Sequence, residues 1–125
     1  MLGGFLNASQ GVTGLLYWGV DEWQRDPWTD PTYRYTDSCC YPGDGTLVYP
    51  GSPAGVVGVV PSIRLAMVRD GMDDYDYVAL LRAQGRGAEA AAALTPAAQS
   101  WSSWTSDGRV LAAVRHQLGD LLEGI

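Results

Sequence analysis

The chain has 125 residues and a net charge of −6, with eight arginines and no lysine. This length allows one domain or a piece of a larger one. The acidic balance argues against a nucleic-acid partner, because nucleic-acid binding requires a basic surface. No stretch approaches the ~18 consecutive apolar residues that mark a membrane span. We therefore expect neither nucleic acid nor a membrane among the partners.

The sequence contains few residues that could form a metal or cofactor site. Cys39 and Cys40 are adjacent and can bridge each other only with strain, and His116 is the single histidine. A zinc site or a Ser-His-Asp triad needs more ligands or bases than these. We expect no metal and no cofactor. The N-terminal residues lack the basic region and long apolar core of a signal peptide, and the localisation stays open.

Residues 12–20 are a nearly continuous apolar run with β-branched and aromatic members, preceded by a glycine. Continuous rather than alternating apolarity predicts a strand buried on both faces, as in a parallel sheet. Residues 2–8 are predicted to be the tail of a helix. Residues 21–61 are rich in Gly, Pro, Asp, Thr and Tyr, with a short extended piece at 56–60. A connection of this length is typical of a functional loop or of disorder, and six aromatic residues favour an ordered functional loop.

Helices are predicted to fill the rest of the chain. Ser62 can cap a helix that runs to about residue 81, which Gly71 interrupts and in which Asp73 or Asp74 caps a second half. Its apolar face consists of Leu65, Val68, Met72, Tyr75 and Val78. A short alanine-rich helix spans residues 88–94. Asp107 caps a last helix, whose apolar stripe consists of Val110, Leu111, Val114, Leu118, Leu121 and Leu122.

One strand and several helices do not make a sheet, because a parallel strand needs neighbours to pair its backbone groups. The pattern predicts an α/β fold: the C-terminal βα unit of an incomplete (β/α)8 barrel, with a helical C-terminal extension. The predicted division places the last strand, the aromatic loop and the last barrel helix in residues 1–84. The extension occupies residues 85–125.

Aromatic residues beside carboxylates point to carbohydrate binding. Sugar C–H faces pack on indole rings while hydroxyls bond to acids, and barrel ligands sit at the carboxyl ends of strands. The predicted substrate-binding residues are Trp18, Asp21, Trp23, Trp28 and Asp44. Two alternatives are open: Trp18 and Trp23 as packing beneath the loop, and Asp44 as part of a Gly-Asp-Gly turn. Asp21 and Glu22 are either an acid/base pair or the solvated start of the loop.

The order of several uncommon motifs carries a family resemblance over roughly residues 10–82. The motifs are Gly14-Leu15-Leu16-Tyr17-Trp18 with Trp23, Asp26-Pro27-Trp28, Gly43-Asp44-Gly45, Tyr49-Pro50-Gly51, Pro61-Ser62-Ile63-Arg64-Leu65 and Arg69-Asp70-Gly71-Met72-Asp73-Asp74-Tyr75. Together they resemble the domain of unknown function 4091, the C-terminal part of proteins similar to glycoside hydrolase family 123.

This resemblance implies a (β/α)8 barrel and a β-N-acetylgalactosaminidase-type activity with substrate-assisted retention, so that the partner is an N-acetylhexosamine-type glycan. It also implies that the catalytic Asp-Glu pair lies on an earlier barrel strand, in an N-terminal part of the barrel. Asp21-Glu22 is not assigned that role, and no catalytic residue is predicted. The isolated chain is expected to be inactive. The alternative is a non-catalytic carbohydrate-binding or structural module.

Overall fold

The computed structural model describes residues 2–36 and 39–124, apart from the side chains of Leu2 and Cys39. A short helical stretch, Leu2–Leu6, is kinked at Gly4 (φ −108°, ψ −111°) and leads into α1 (Asn7–Ser9). The other helices are α2 (Ile63–Ala83), α3 (Gly87–Leu94) and α4 (Gly108–Glu123), with a 3-10 turn at Ser52–Ala54.

The described strands form three two-stranded antiparallel sheets. They pair β1 (Thr32–Thr36) with β2 (Cys39–Pro42), β3 (Val48–Pro50) with β4 (Val59–Pro61), and β5 (Ala98–Ser100) with β6 (Ser103–Trp104). The predicted α/β class is confirmed at this level, as a small α/β fold. The described residues do not show a barrel.

The chain divides into two compact units. One unit, Leu16–Met67, contains β1 to β4 and the first residues of α2. The other consists of Met1–Leu15 and Val68–Ile125. The second unit holds the rest of α2 together with α1, α3, α4 and the β5–β6 hairpin.

The second unit has a hydrophobic core made by its helices and the N-terminal segment. Phe5, Val78, Leu81, Leu94 and Leu118 are all fully buried in one cluster. The predicted stripe of α4 is confirmed, since its members are buried or half-buried on one side of the helix. The Asp107 cap is confirmed as well, because its carboxylate accepts a hydrogen bond from the Arg109 N–H at 2.9 Å.

Helix α2 differs from its prediction in continuity and in its buried face. It begins as predicted, with the Leu65 N–H donating to Ser62 Oγ at 3.3 Å, but it runs unbroken through Gly71. Its buried residues are Gly71, Asp74, Val78 and Leu81. Predicted core residue Met72 is exposed.

The reason lies in the close approach of the N-terminal segment to Gly71. A Cβ placed on Gly4 would lie 2.5 Å from the Gly71 carbonyl oxygen, so the two backbones are in contact because neither residue carries a side chain. Gly71 is therefore a packing position rather than a helix break. Asp74, which the sequence analysis treats as a cap, is instead only 4% exposed.

The buried Asp74 carboxylate is neutralised by an arginine of α4. Arg115 donates to both carboxylate oxygens, from Nε to Oδ1 at 2.5 Å and from Nη2 to Oδ2 at 2.9 Å. A two-pronged guanidinium–carboxylate contact is among the stronger polar contacts in proteins. By contrast, the ion pair between Arg69 and Asp70 on the same helix has both side chains exposed.

These two pairs give a matched test of stability. We expect Arg115→Ala to lower the free energy of unfolding by about 2–4 kcal/mol, because it leaves the buried Asp74 carboxylate without its partner. Arg69→Ala should cost at most about 1 kcal/mol, as the loss of a surface ion pair does. Urea melts of the two variants and the parent chain provide the comparison, and equal losses would contradict the assigned burial.

Two predictions for the first half of the chain are wrong for this structure. Residues 12–20 contain no strand, and Leu16 within them is 89% exposed. In the described part of the chain no neighbouring strand forms a ladder with this run, and a parallel strand cannot form without one. The ordered loop predicted over residues 21–61, with one short extended piece, instead contains the four strands β1 to β4.

The predicted extended piece at 56–60 corresponds in part to β4. Cys40 is an exposed free thiol, and the side chain of Cys39 lies outside the described residues. Among the helices that the structure describes, none is long and apolar enough to cross a membrane.

Candidate functional site

A tight turn in the unit Leu16–Met67 positions a single carboxylate. Gly43 and Gly45 adopt positive φ angles of 80° and 67°, and the Thr46 N–H donates to the Gly43 carbonyl at 3.2 Å. The Gly45 N–H donates to Asp44 Oδ1 at 3.1 Å. The Gly-Asp-Gly turn is therefore confirmed. Gly45 is also required sterically, because a Cβ there would lie 2.8 Å from the Trp18 indole.

Three aromatic side chains donate hydrogen bonds to the Asp44 carboxylate. Oδ1 accepts from the Tyr17 hydroxyl at 2.7 Å and from Trp18 Nε1 at 3.0 Å. Oδ2 accepts from the Tyr35 hydroxyl at 2.9 Å. The Tyr17 oxygen accepts in turn from the Gly45 N–H at 2.9 Å. Asp44 thus fixes the orientation of three rings that come from two separate segments of the chain.

The rings around Asp44 form an aromatic cluster of Trp18, Tyr33, Tyr35 and Tyr41. Tyr33 and Tyr35 are two residues apart on β1 and so lie on one face of the strand, with ring centroids 4.8 Å apart. Trp18 contacts Tyr33 edge-on at 4.8 Å, and Tyr41 contacts Tyr35 at 5.5 Å. Trp18 nevertheless remains 42% exposed, so part of this residue is accessible to a ligand.

The hydrogen bonds to Asp44 shift the acidity of the groups that share them. Desolvation alone would raise the pKa of Asp44, but the donors Tyr17, Trp18 and Tyr35 outweigh it and lower that pKa. Desolvation and the hydrogen bond to Asp44 raise the pKa of Tyr17. The same two causes raise the pKa of Tyr35 to about 12.

These shifts predict a pH window for the aromatic cluster. Asp44 stabilises the fold above the ordinary carboxyl pKa of ~3.9, and this contribution is lost as pH falls through its lowered pKa. Tyr35 contributes below the ordinary phenol pKa of ~10, and its contribution is lost as pH rises towards 12.

NMR titration of the tyrosine rings tests this assignment. In Asp44→Asn the pKa of Tyr35 should fall from about 12 towards the usual value, because the negative charge beside the phenol is gone. Asp120→Asn, an exposed position on α4, is the control and should leave Tyr35 unchanged. An unaltered Tyr35 pKa in Asp44→Asn would contradict the assignment.

A second group of aromatics is tied to β3. Trp28 Nε1 donates to the Pro50 carbonyl at 2.9 Å, and its ring lies 5.0 Å from that of Tyr49. Trp23 Nε1 donates to the Val48 carbonyl at 3.0 Å, and Trp23 is half-buried. Arg64 donates to the Tyr49 hydroxyl at 2.9 Å. Of these, Trp28 has the more exposed ring.

Asp21 and Glu22 are both exposed and start the segment that leads to Trp23. Asp21 forms an isolated antiparallel bridge with Thr46, and the Glu22 N–H donates to the Gly45 carbonyl at 2.9 Å. A Cβ placed on Gly45 would lie 2.9 Å from Glu22 Cβ, so the Glu22 side chain passes beside the turn. The backbone of both residues is therefore anchored to the turn that holds Asp44.

Thus Trp18 and Asp44 are in direct contact, Trp23 and Trp28 are tied to β3, and Asp21 is bridged to Thr46. Sequence analysis does not single out Tyr17 and Tyr35 as site residues. The alternation of Tyr33 and Tyr35 is the signal that indicates a shared strand face. Within residues 2–36 and 39–124, no group of three or more His, Cys, Asp and Glu side chains is placed to hold a metal ion.

Comparison with known families identifies the chain. Residues 1–81 match the family model for the catalytic domain of glycoside hydrolase 123. Because this match covers well over half of the 125 residues, the chain belongs to the glycoside hydrolase 123 catalytic-domain family. Both aromatic groups and Asp44 lie within the matched residues. No curated protein matches the chain significantly. Membership in a glycoside hydrolase family implies a glycan substrate.

Proposed function

We propose that this chain supplies part of the sugar-binding site of a family 123 glycoside hydrolase acting on N-acetylhexosamine-type glycans. The observation that carries the proposal is the half-exposed Trp18 indole, held by Asp44 inside the family-matched region. An oriented aromatic face next to hydrogen-bonding hydroxyls is the combination that a pyranose ring requires. Trp18 is the stacking surface in this proposal.

The roles of the other predicted residues follow from their hydrogen bonds. Asp44 Oδ1 already accepts three hydrogen bonds, whereas Oδ2 accepts one from Tyr35. A carboxylate oxygen has two lone-pair sites, so Oδ2 has room to accept from a sugar hydroxyl. Trp28 and Asp21 are exposed and contribute at the edge of the site. Trp23, half-buried and bonded to Val48, acts mainly by holding β3 in place.

The catalytic carboxylates are, in this proposal, supplied from outside these residues. Asp21 and Glu22 are consecutive, and side chains of consecutive residues in extended chain point to opposite faces. Such a pair is poorly placed to act together on one glycosidic bond. The family resemblance implies that the substrate's acetamido oxygen is the nucleophile. It also implies that an Asp-Glu pair on an earlier barrel strand assists that oxygen.

The proposed function also implies a division of the chain between a barrel and an extension. Residues 1–84 form the end of a (β/α)8 barrel. Residues 85–125 form a helical extension. The exposed Leu16 and Val20 support this proposal, because apolar residues in a continuous run are usually covered in a complete domain.

The Trp18 assignment is tested on the full 125-residue chain with methyl N-acetyl-β-galactosaminide as the probe. The chain has five tryptophans, and each indole N–H gives its own NMR signal. We expect the Trp18 signal to shift on titration. Trp18→Ala should weaken binding at this site several-fold, as expected for the loss of a stacking contact of about 1 kcal/mol.

Trp18→Phe provides the matched control. It keeps an aromatic face but removes the N–H that donates to Asp44, so it should retain more affinity than Trp18→Ala. Equal affinity of the parent chain and Trp18→Ala, with a lowered melting temperature for the variant, would show that Trp18 is a packing residue. The sugar contact would then have to be sought at Trp28.

Catalysis is tested separately. The full chain should not hydrolyse an aryl N-acetyl-β-galactosaminide above the uncatalysed rate, since it is proposed to lack the acid pair. Release of the aryl group is followed by absorbance, with Glu22→Gln and Asp21→Asn as companions. Turnover that disappears in Glu22→Gln would overturn this proposal and assign catalysis to Asp21 and Glu22.

A further inference from the structure

The β5–β6 hairpin exposes two tryptophans that the proposed function does not use. Trp101 at its tip is 57% exposed, and Trp104 on β6 is 51% exposed. Both lie beyond residue 81, where the family match ends. Sequence analysis predicts no element between residues 96 and 106, so this hairpin is a feature found only in the structure. An exposed tryptophan beside ordered polar groups is a frequent component of binding sites.

Trp104 lines a surface groove of about 190 Å³. This volume exceeds that of a cavity of about 150 Å³ that binds benzene, so the groove has room for one six-membered ring. Its polar lining consists of hydroxyl and amide side chains: Thr95, Gln99, Ser103 and Thr105. Pro96 and Ala97 complete it, and no charged side chain is among the lining residues.

Hydrogen bonds hold the polar groups of this groove in place. The Ser103 hydroxyl donates to Gln99 Oε1 at 3.4 Å across the hairpin, and the Thr95 hydroxyl donates to the Ala91 carbonyl at 3.3 Å. Thr105 Oγ1 accepts from the Asp107 N–H at 3.0 Å. A threonine hydroxyl also has one proton to donate, and a glutamine amide nitrogen has two. The groove can therefore both donate to and accept from a ligand's hydroxyls.

We propose that this groove is a second carbohydrate-binding site, which takes one neutral pyranose ring against Trp104. The uncharged lining disfavours phosphate or carboxylate ligands, which require a cation or a cluster of N–H donors. A protein partner would find few apolar side chains here besides Trp104, Pro96 and Ala97. A sugar uses both the indole face and the surrounding hydroxyls. The inference rests on the groove itself and does not depend on the site around Asp44.

The test uses the full chain, methyl N-acetyl-β-galactosaminide and methyl β-galactoside as neutral probes, and sodium galacturonate as the charged comparison. The Trp104 indole signal should shift with the neutral sugars and much less with galacturonate. Trp104→Ala should weaken binding at this groove by roughly fivefold or more. Trp101→Ala is the matched control, because Trp101 is equally exposed on the same hairpin but does not line the groove.

The outcomes separate this site from the proposed one. Binding here should persist in Trp18→Ala, whereas a Trp104 response that disappears in Trp18→Ala would overturn an independent second site. Equal losses in Trp101→Ala and Trp104→Ala would show that the hairpin, rather than the groove, determines binding. If the Trp104 signal responds to no sugar while Trp18 still responds, the groove proposal fails and the function proposed for the Asp44 site stands.

Discussion

The arrangement of the unit Leu16–Met67 depends on one carboxylate. Of the described aliphatic side chains in this unit, only Leu47 and Pro27 are buried, so packing alone provides little to hold its rings. Asp44 instead collects hydrogen bonds from Tyr17, Trp18 and Tyr35. A shared acceptor of this kind is asymmetric: removing one donor leaves the other two bonded, whereas removing the acceptor leaves three polar groups without their partner. Gly43 and Gly45, which adopt positive φ angles, form the tight turn that places the Asp44 carboxylate beside these rings.

The other unit is stabilised in a different way. Its interior is a continuous cluster of apolar side chains, and the buried carboxylate of Asp74 is paired with Arg115. Phe5 and Val78 lie within the family-matched residues, while Leu94 and Leu118 lie beyond them. This core therefore contains side chains from the family-matched residues and from the residues that follow them. The residues after the match are not an appendage to this unit but supply a large share of its buried surface.

Sequence reasoning succeeded where the determining interactions are local. The Ser62 and Asp107 caps, the stripe of α4 and the Gly-Asp-Gly turn each depend on a few neighbouring residues, and each was predicted. It was wrong where the outcome depends on contacts between distant residues. Apolar character alone made residues 12–20 a strand, but a strand also needs a partner. Gly71 appeared as a helix break because its contact with Gly4, far away in the chain, has no local signature.

The same limit applies to the candidate site. Trp18 and Asp44 were selected individually from composition and position, but nothing in the sequence pairs them across 26 residues. Tyr17 and Tyr35 become visible as site residues only once Asp44 is seen to accept from both. For Trp23, the half-buried ring and its bond to Val48 are likewise tertiary properties. Residue types thus predict which functional groups a site could contain, whereas the fold determines which of these groups contact one another.

The contact between Gly4 and Gly71 has a consequence for how this sequence can diverge. A methyl group on Gly4 would meet the backbone of α2 and not a flexible side chain, so no rotamer change relieves the clash. Neutral drift can replace many surface residues of the chain one at a time, but it cannot enlarge this position without displacing the N-terminal segment from the helix. Among homologues that retain this packing, we therefore expect glycine at position 4 even where the bound sugar differs. The constraint is the contact between two backbones and does not involve a ligand.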